Sequence, residues 1–243
     1  MMKNCILIPI ALGILSILNC SYAQNSQVIS FDTITVKKYG LTFRNGAVFD
    51  FTYQFIFPSD SAFLVKRIKE QLIQEFFQTD SIMSLEQAQK RYEKSMLANV
   101  PEPMLGVSYR FLEKVSAIKI NHNKVLAFFS NENNFLGGAH GAPWVSCSCY
   151  DLQSGNRIFL NDLFNDNAKI QILSLINEKL GVKVLDKNHL GWIDNFILLP
   201  KGIVFIFNQG AVDCHAAGTI KVILPLSKIR HLLKARALTY FEE

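Results

Sequence analysis

The clearest periodic signal in the chain runs from Ala47 to Phe57, where Phe49, Phe51, Tyr53, Phe55 and Phe57 recur at every second position and Asp50, Thr52 and Gln54 fall between them. A period of two sends alternate side chains to opposite faces of an extended chain, so this segment reads as a strand with an aromatic face toward a core and a polar face toward water. A shorter strand, Phe31 to Lys38, precedes it across an Asn45-Gly46 turn. Pro58-Ser59-Asp60 then ends the strand and offers N-cap residues for a helix from about Ser61 to Gln78. Leu64, Ile68, Leu72 and Phe76, flanked by Val65 and Ile73, form its apolar stripe. A second helix, Ser84 to Ala98, opens with Ser84 and Gln87 at capping-box spacing. Its Glu86, Gln89, Lys90, Glu93 and Lys94 leave few apolar positions, which predicts a helix that covers an edge rather than fills a core.

Strand patterning resumes beyond Pro101 and Pro103, with Val107 to Ile120 and Lys124 to Ser130 flanking an Asn121-His122-Asn123 turn. A loop over 131–143 leads to a strand from Trp144 to Leu152, a Ser154-Gly155-Asn156 turn and a short strand from Arg157 to Leu160. A helix follows from Asp166 to Leu180, with Ile170, Leu173, Ile176 and Leu180 as its stripe and Gly181 as its stop. The last third reads as Asn195 to Leu199, a Pro200-Lys201-Gly202 turn, Ile203 to Phe207, Thr219 to Leu224, and a closing helix capped by Ser227. Strands and helices occur in separate runs rather than in βαβ alternation. That order predicts an α+β fold with mainly antiparallel sheets and helices on one face, in two closely packed subdomains over residues 24–130 and 131–243.

The first residues change where such a domain is expected to work. Lys3, the apolar run Cys5 to Leu18 and the small-residue site Ser21-Tyr22-Ala23 have the three parts of an export signal. The run is shorter than the ~20 residues that cross a bilayer as a helix. Cleavage after Ala23 makes the mature protein periplasmic or secreted. The alternative is a lipoprotein anchored to the membrane through Cys20, which follows Ile17-Leu18-Asn19. The chain has 25 basic and 20 acidic residues, and Lys3 is the only charge before Gln24, so 24 against 20 remain, a net of +4. The charge is dispersed, and its densest stretch, Lys228 to Arg236, reads as a solvated helix face. With no aromatics interleaved among arginines, no nucleic-acid partner is expected.

Candidate chemistry gathers in a few places. Cys147 and Cys149 lie two apart on one strand, point to one face and cannot easily bridge each other; Cys214 could pair with either, or all three stay unpaired and buried. The segment Asn134 to Gly141 holds Gly137, Gly138 and Gly141, which permit close chain approach, around His140. His140 reads as a base, a ligand or a pH-sensitive contact, against the plainer role of holding its own loop by backbone hydrogen bonds. The loop lacks the spacing and lysine of phosphate-binding loops, and a strand follows it. His140, Cys147, Cys149, Cys214 and His215 do not have zinc-site spacing, and no metal or cofactor is expected. No nucleophile elbow is present, and Cys214-His215 as sequence neighbours do not place an imidazole to activate a thiol. Asp162 and Asp166 fall at a helix start, where negative charge opposes the helix dipole favourably. Trp144, Trp192 and Tyr150 are candidate aromatic contacts for a ligand or partner, or core residues.

From Phe135 to Phe164 the chain reads FLGGAHGAPWVSCSCYDLQSGNRIFLNDLF. The Gly137-Gly138-Ala139-His140-Gly141 loop, Tyr150-Asp151-Leu152, Gly155, and Leu160-Asn161-Asp162-Leu163-Phe164 resemble the RsiV C-terminal domain family, the outer domain of a lysozyme-binding anti-sigma factor. Gly202 to Phe207, Ala216-Ala217-Gly218 and Leu224-Pro225-Leu226-Ser227 extend the resemblance over residues 135–235. Residues 28–130 look like the PdaC-type domain that often precedes it. The resemblance implies a non-enzymatic cell-envelope binding or sensing protein, its ligand a cell-wall glycan or a lysozyme-like protein. Gly137, Gly138, His140, Gly141, Trp144 and His215 are the candidate ligand contacts. The alternative is a cell-envelope hydrolase using His140 with a residue of the 208–218 loop.

Overall fold

The computed structural model describes residues 29–43, 46–98, 109–121, 124–135, 141–181, 184–214 and 217–242. The fold is α+β, as the segregated order of elements predicts. A six-stranded sheet runs in chain order: β1 (Phe31–Thr42), β2 (Val48–Pro58), β3 (Tyr109–Asn121), β4 (Val125–Phe135), β5 (Ala142–Asp151) and β6 (Arg157–Ile158). All its pairings are antiparallel except β2–β3, which is parallel. Two helices, α1 (Phe63–Phe77) and α2 (Leu85–Ala98), lie in the crossover between these two strands, a length a parallel connection needs. A smaller antiparallel sheet holds β7 (Phe196–Leu199), β8 (Gly202–Phe207) and β9 (Ile220–Pro225). The export segment and Cys20 lie outside the described residues.

Phe49, Phe51, Tyr53, Phe55 and Phe57 are all buried, as their period of two predicts. They meet Phe76 and Phe77 of α1, and Tyr92 of α2 packs edge-on to Tyr53 at 5.9 Å between ring centroids. Such pairs each add about 0.5–1.5 kcal/mol beyond the area they bury. α2 therefore supplies Ala88 and Tyr92 to the core rather than only covering an edge. Its Ser84–Gln87 capping box forms as expected: Gln87 N–H donates to Ser84 Oγ and Ser84 N–H to Gln87 Oε1. The cap expected for α1 does not form. Ala62 occupies that position, and Asp60 instead accepts hydrogen bonds from Ser30.

The second core lies between β4, β5, the smaller sheet and helix α4 (Asp166–Leu180). α4 follows the short helix α3 (Leu160–Leu163), starts on Asn165, whose side chain accepts from Ala168 N–H, and ends at Gly181 in the left-handed conformation (φ 69°). Leu173 and Ile176 of the expected stripe are buried and Leu180 is half-buried against the same core, but Ala168 and Ile172 join them while Ile170 faces solvent. Asp162 accepts from Phe159 N–H at 2.8 Å, a cap in keeping with its sequence position. The closing helix is broken into α5 (Leu226–Ile229) and α6 (Ala235–Leu238), each followed by a 3₁₀ turn, and Pro225 rather than Ser227 precedes it. An extended Leu233 separates them, held by a bridge to Phe164, while Lys234 N–H donates to Leu163 O. Tertiary pairing overrides the helical period there.

β4 belongs to both cores. Val125 and Ala127 face the second, and Leu126 and Phe128 the first, so four consecutive buried residues serve two sides of one strand. The boundary at 130/131 falls within β4.

Candidate functional site

The outer edge of β5 meets β6 only at Cys149 and Tyr150. The remaining edge exposes backbone groups that need partners. Two asparagines bordering the smaller sheet supply them. Asn208 Oδ1 accepts from Val145 N–H at 2.7 Å and its Nδ2 donates to Val145 O at 3.0 Å. Asn195 Oδ1 accepts from Cys147 N–H at 2.8 Å, and its Nδ2 donates to Val145 O and to Ile206 O. The amides tie the small sheet to the large one and hold open a cleft of about 710 Å³ beside β5. That volume lies in the usual range for a small-molecule site.

Two indoles flank the cleft. Trp144, on β5, is 57 % exposed, and Trp192, on the 3₁₀ helix Lys187–Asp194, is 41 % exposed. The His189 ring packs edge-on against Trp192 at 4.5 Å, and His189 Nδ1 lies 2.8 Å from Asp186 Oδ1. Asp186 also accepts from Asn188 N–H, and this bond with the one to His189 holds its carboxyl below the ordinary carboxylate range. The wall that carries Trp192 is thus braced from behind.

Glu75 of α1, Arg157 of β6 and Asp194 supply charge. Tyr150 Oη donates to Glu75 Oε2 at 2.7 Å, and the Arg157 guanidinium lies 3.5 Å from the same oxygen. Gln71 fixes both elements, its Nε2 donating to Gly155 O and its Oε1 accepting from Arg157 N–H. Burial raises the Asp194 carboxyl, opposed by the nearby charges of Lys169 and Arg157. Burial also pushes the Cys147 thiol, which borders the cleft, up to about 12, so it stays protonated and inert at neutral pH. The arrangement can stack on, hydrogen-bond and orient a ligand.

Of the candidate contacts, Trp144 lines this cleft. Gly141 packs tightly on β4, where an added Cβ would stand 2.9 Å from Asn134 O. Gly137, Gly138, His140 and His215 lie outside the described residues. Tyr150 is a buried core residue, and Cys147 and Cys149 are buried free thiols on one face, with Cys214 free and exposed. Among the described residues no group of three or more His, Cys, Asp or Glu side chains is placed to hold a metal ion. Sequence reasoning missed Glu75, Arg157, Asp194, Asn195 and Asn208. The two asparagines left a faint signal, since each borders an apolar strand run.

An α+β domain with an aromatic-walled cleft at a sheet edge is the class these features define. A family model described as "Protein of unknown function (DUF3298)" matches residues 161–227, the segment from α3 through β9 that carries Trp192, Asp194, Asn195 and Asn208. The fold is similar to a solved DUF3298-family member from Bacteroides fragilis NCTC 9343, at 21 % identity and TM-score 0.74, covering 88 % of this chain and 97 % of that one. It is also similar to a DUF3298 family protein from Pseudomonas aeruginosa PAO1, at 11 % identity and TM-score 0.61, covering 87 % and 97 %. No curated protein matches.

Proposed function

We propose that this chain is an exported, non-catalytic binding protein of the cell envelope, resembling the RsiV outer domain, that seats a cell-wall glycan in the Trp144–Trp192 cleft. The observation that carries the reading is the pair of solvent-open indoles that line one concave site together with several polar side chains. A flat indole left in water loses hydrophobic free energy, and stacking it on the C–H face of a pyranose recovers that loss. The polar side chains in the cleft, Gln209 among them, then meet ring hydroxyls. The export signal read in residues 1–23 and the family resemblance carried by the Gly137-Gly138-Ala139-His140-Gly141 motif support an envelope polymer as the ligand. A lysozyme-like protein is the other partner the resemblance implies; a concave cleft of this volume suits a sugar chain better than a convex protein surface.

Tryptophan fluorescence reports the proposal directly. Titrating the mature protein with soluble peptidoglycan fragments should quench and shift the emission. Trp144→Ala and Trp192→Ala should each weaken binding at least tenfold while the melting temperature stays within a few degrees. Saturable complex formation with lysozyme, and none with glycan, would replace the glycan with the protein partner.

A further inference from the structure

A second hollow of about 140 Å³ adjoins the cleft, and Cys147, Arg157 and Asp194 line both. It occupies the notch where two-residue β6 stops pairing with β5. Its inner wall is apolar, formed by Ile158, Leu160 and Phe196. At ~30 Å³ of liquid volume per water, it has room for roughly four waters. A second sugar ring does not fit; a substituent of a few atoms does.

Two charged side chains meet at this hollow. Asp194, at its mouth, makes no hydrogen bond or ion pair among the described residues. Arg157 stands opposite in the same lining, held by Glu75 and stacked over the Phe159 ring at 5.3 Å. Ser148 Oγ is buried on the other face of β5, beside the Tyr150 hydroxyl, and does not open onto the apolar wall.

We infer that this hollow is a subsite for the acetamido group of an N-acetylated hexosamine whose ring stacks in the neighbouring cleft. The inference rests on the glycan reading above and names the substituent that reading leaves open. An acetamido group presents an N–H, a carbonyl and a methyl on four heavy atoms. The N–H donates to the Asp194 carboxylate, the carbonyl accepts from Arg157, and the methyl enters the apolar wall. A 2-hydroxyl reaches neither the wall nor both polar partners. A free ammonium pairs with Asp194 but leaves the wall empty and brings positive charge toward Arg157.

The test compares three soluble tetrasaccharides of one linkage: β-1,4-linked N-acetylglucosamine, glucosamine and glucose, titrated into the mature protein by calorimetry and tryptophan fluorescence. The acetylated chain should bind at least tenfold more tightly than either other. Asp194→Asn, on the open rim, and Arg157→Gln should each reduce that preference to below threefold, with thermal unfolding run alongside to confirm the fold. Equal binding of all three overturns the subsite but leaves the glycan cleft standing. Tightest binding of the glucosamine chain overturns it in favour of an ammonium at Asp194. An undiminished preference in both variants also overturns it. Binding of none of the three overturns the subsite and, when peptidoglycan fragments fail as well, the glycan reading with it.

Discussion

Asn195 is the residue on which the cleft depends most. It satisfies Cys147 N–H, Val145 O and Ile206 O at once, and Ile206 N–H donates to its own carbonyl. An alanine there strands Cys147 N–H and takes a donor from Ile206 O at a sheet edge where water has limited access, leaving Val145 O to Asn208 alone. With about 1–3 kcal/mol lost per unsatisfied buried group, Asn195→Ala should destabilise the protein by about 3 kcal/mol in urea unfolding. Asn195→Asp, which keeps only the acceptors, should fare no better. The thiols make a second prediction at this scale. Burial holds Cys147 and Cys149 protonated up to about 12, against an ordinary 9.0, while Cys214 is open to solvent. At pH 8 a thiol reagent should label Cys214 in the native mature protein and reach the other two only in denaturant. Linkage gives the sign of the pH effect. Between pH 9 and 12 the unfolded chain releases protons that the folded chain keeps, so each thiol's contribution to stability falls through that window. Tyr53 and Tyr240, pushed up from 10.0 to about 12 chiefly by burial, act in the same direction from pH 10. Unfolding free energy measured from pH 8.5 to 11 should therefore decline steadily; a flat profile would contradict the burial of these groups.

At the scale of elements, the hairpin of β7 and β8 turns on Pro200-Lys201, with Leu199 paired to Gly202. A Cβ on Gly202 would stand 2.3 Å from Leu224 O and 2.9 Å from Pro225 Cα, both backbone atoms of the adjacent strand. Neither can yield without parting β8 from β9, so Gly202→Ala should cost about 3 kcal/mol, read as a lowered urea midpoint. The turn was legible in the sequence because proline and glycine mark it chemically. So was β2, whose five alternating aromatics admit one period only, and α4, whose end Gly181 fixes. What was illegible depended on contacts far along the chain. Nothing local in the 226–241 stretch stops a helix, yet the bridge from Leu233 to Phe164 breaks it. α2 looked like a surface helix because only two of its residues, Ala88 and Tyr92, are buried in the core. The cleft suffered most from this: Trp144 could be singled out as an aromatic beside a loop, but Glu75, Arg157 and Asp194 converge from α1, β6 and a 3₁₀ turn with no shared spacing to announce them.

Across the whole molecule, the decisive feature is that one strand feeds two cores. Val125 and Ala127 pack among the residues around α4, and Leu126 and Phe128 pack among the aromatics under α1. β5 does the same, with Cys147 and Cys149 on one side and Tyr150 on the other. Neither core can lose its packing without stripping one face from β4 and β5, and a sheet bared on one face no longer holds the strands that the other core needs. The two halves should then unfold together, although their apolar clusters are separate. Leu72→Ala, in the first core, and Ile176→Ala, in the second, each remove a fully buried side chain and should cost about 2–5 kcal/mol. In scanning calorimetry of the mature protein, each variant should move a single transition downward by several degrees, with calorimetric and van't Hoff enthalpies remaining equal. Two transitions, only one of them shifted by Leu72→Ala, would mean that the strands merely adjoin. In that case the Asn195 and Asn208 tethers, not the shared strands, would be what keeps the cleft in register.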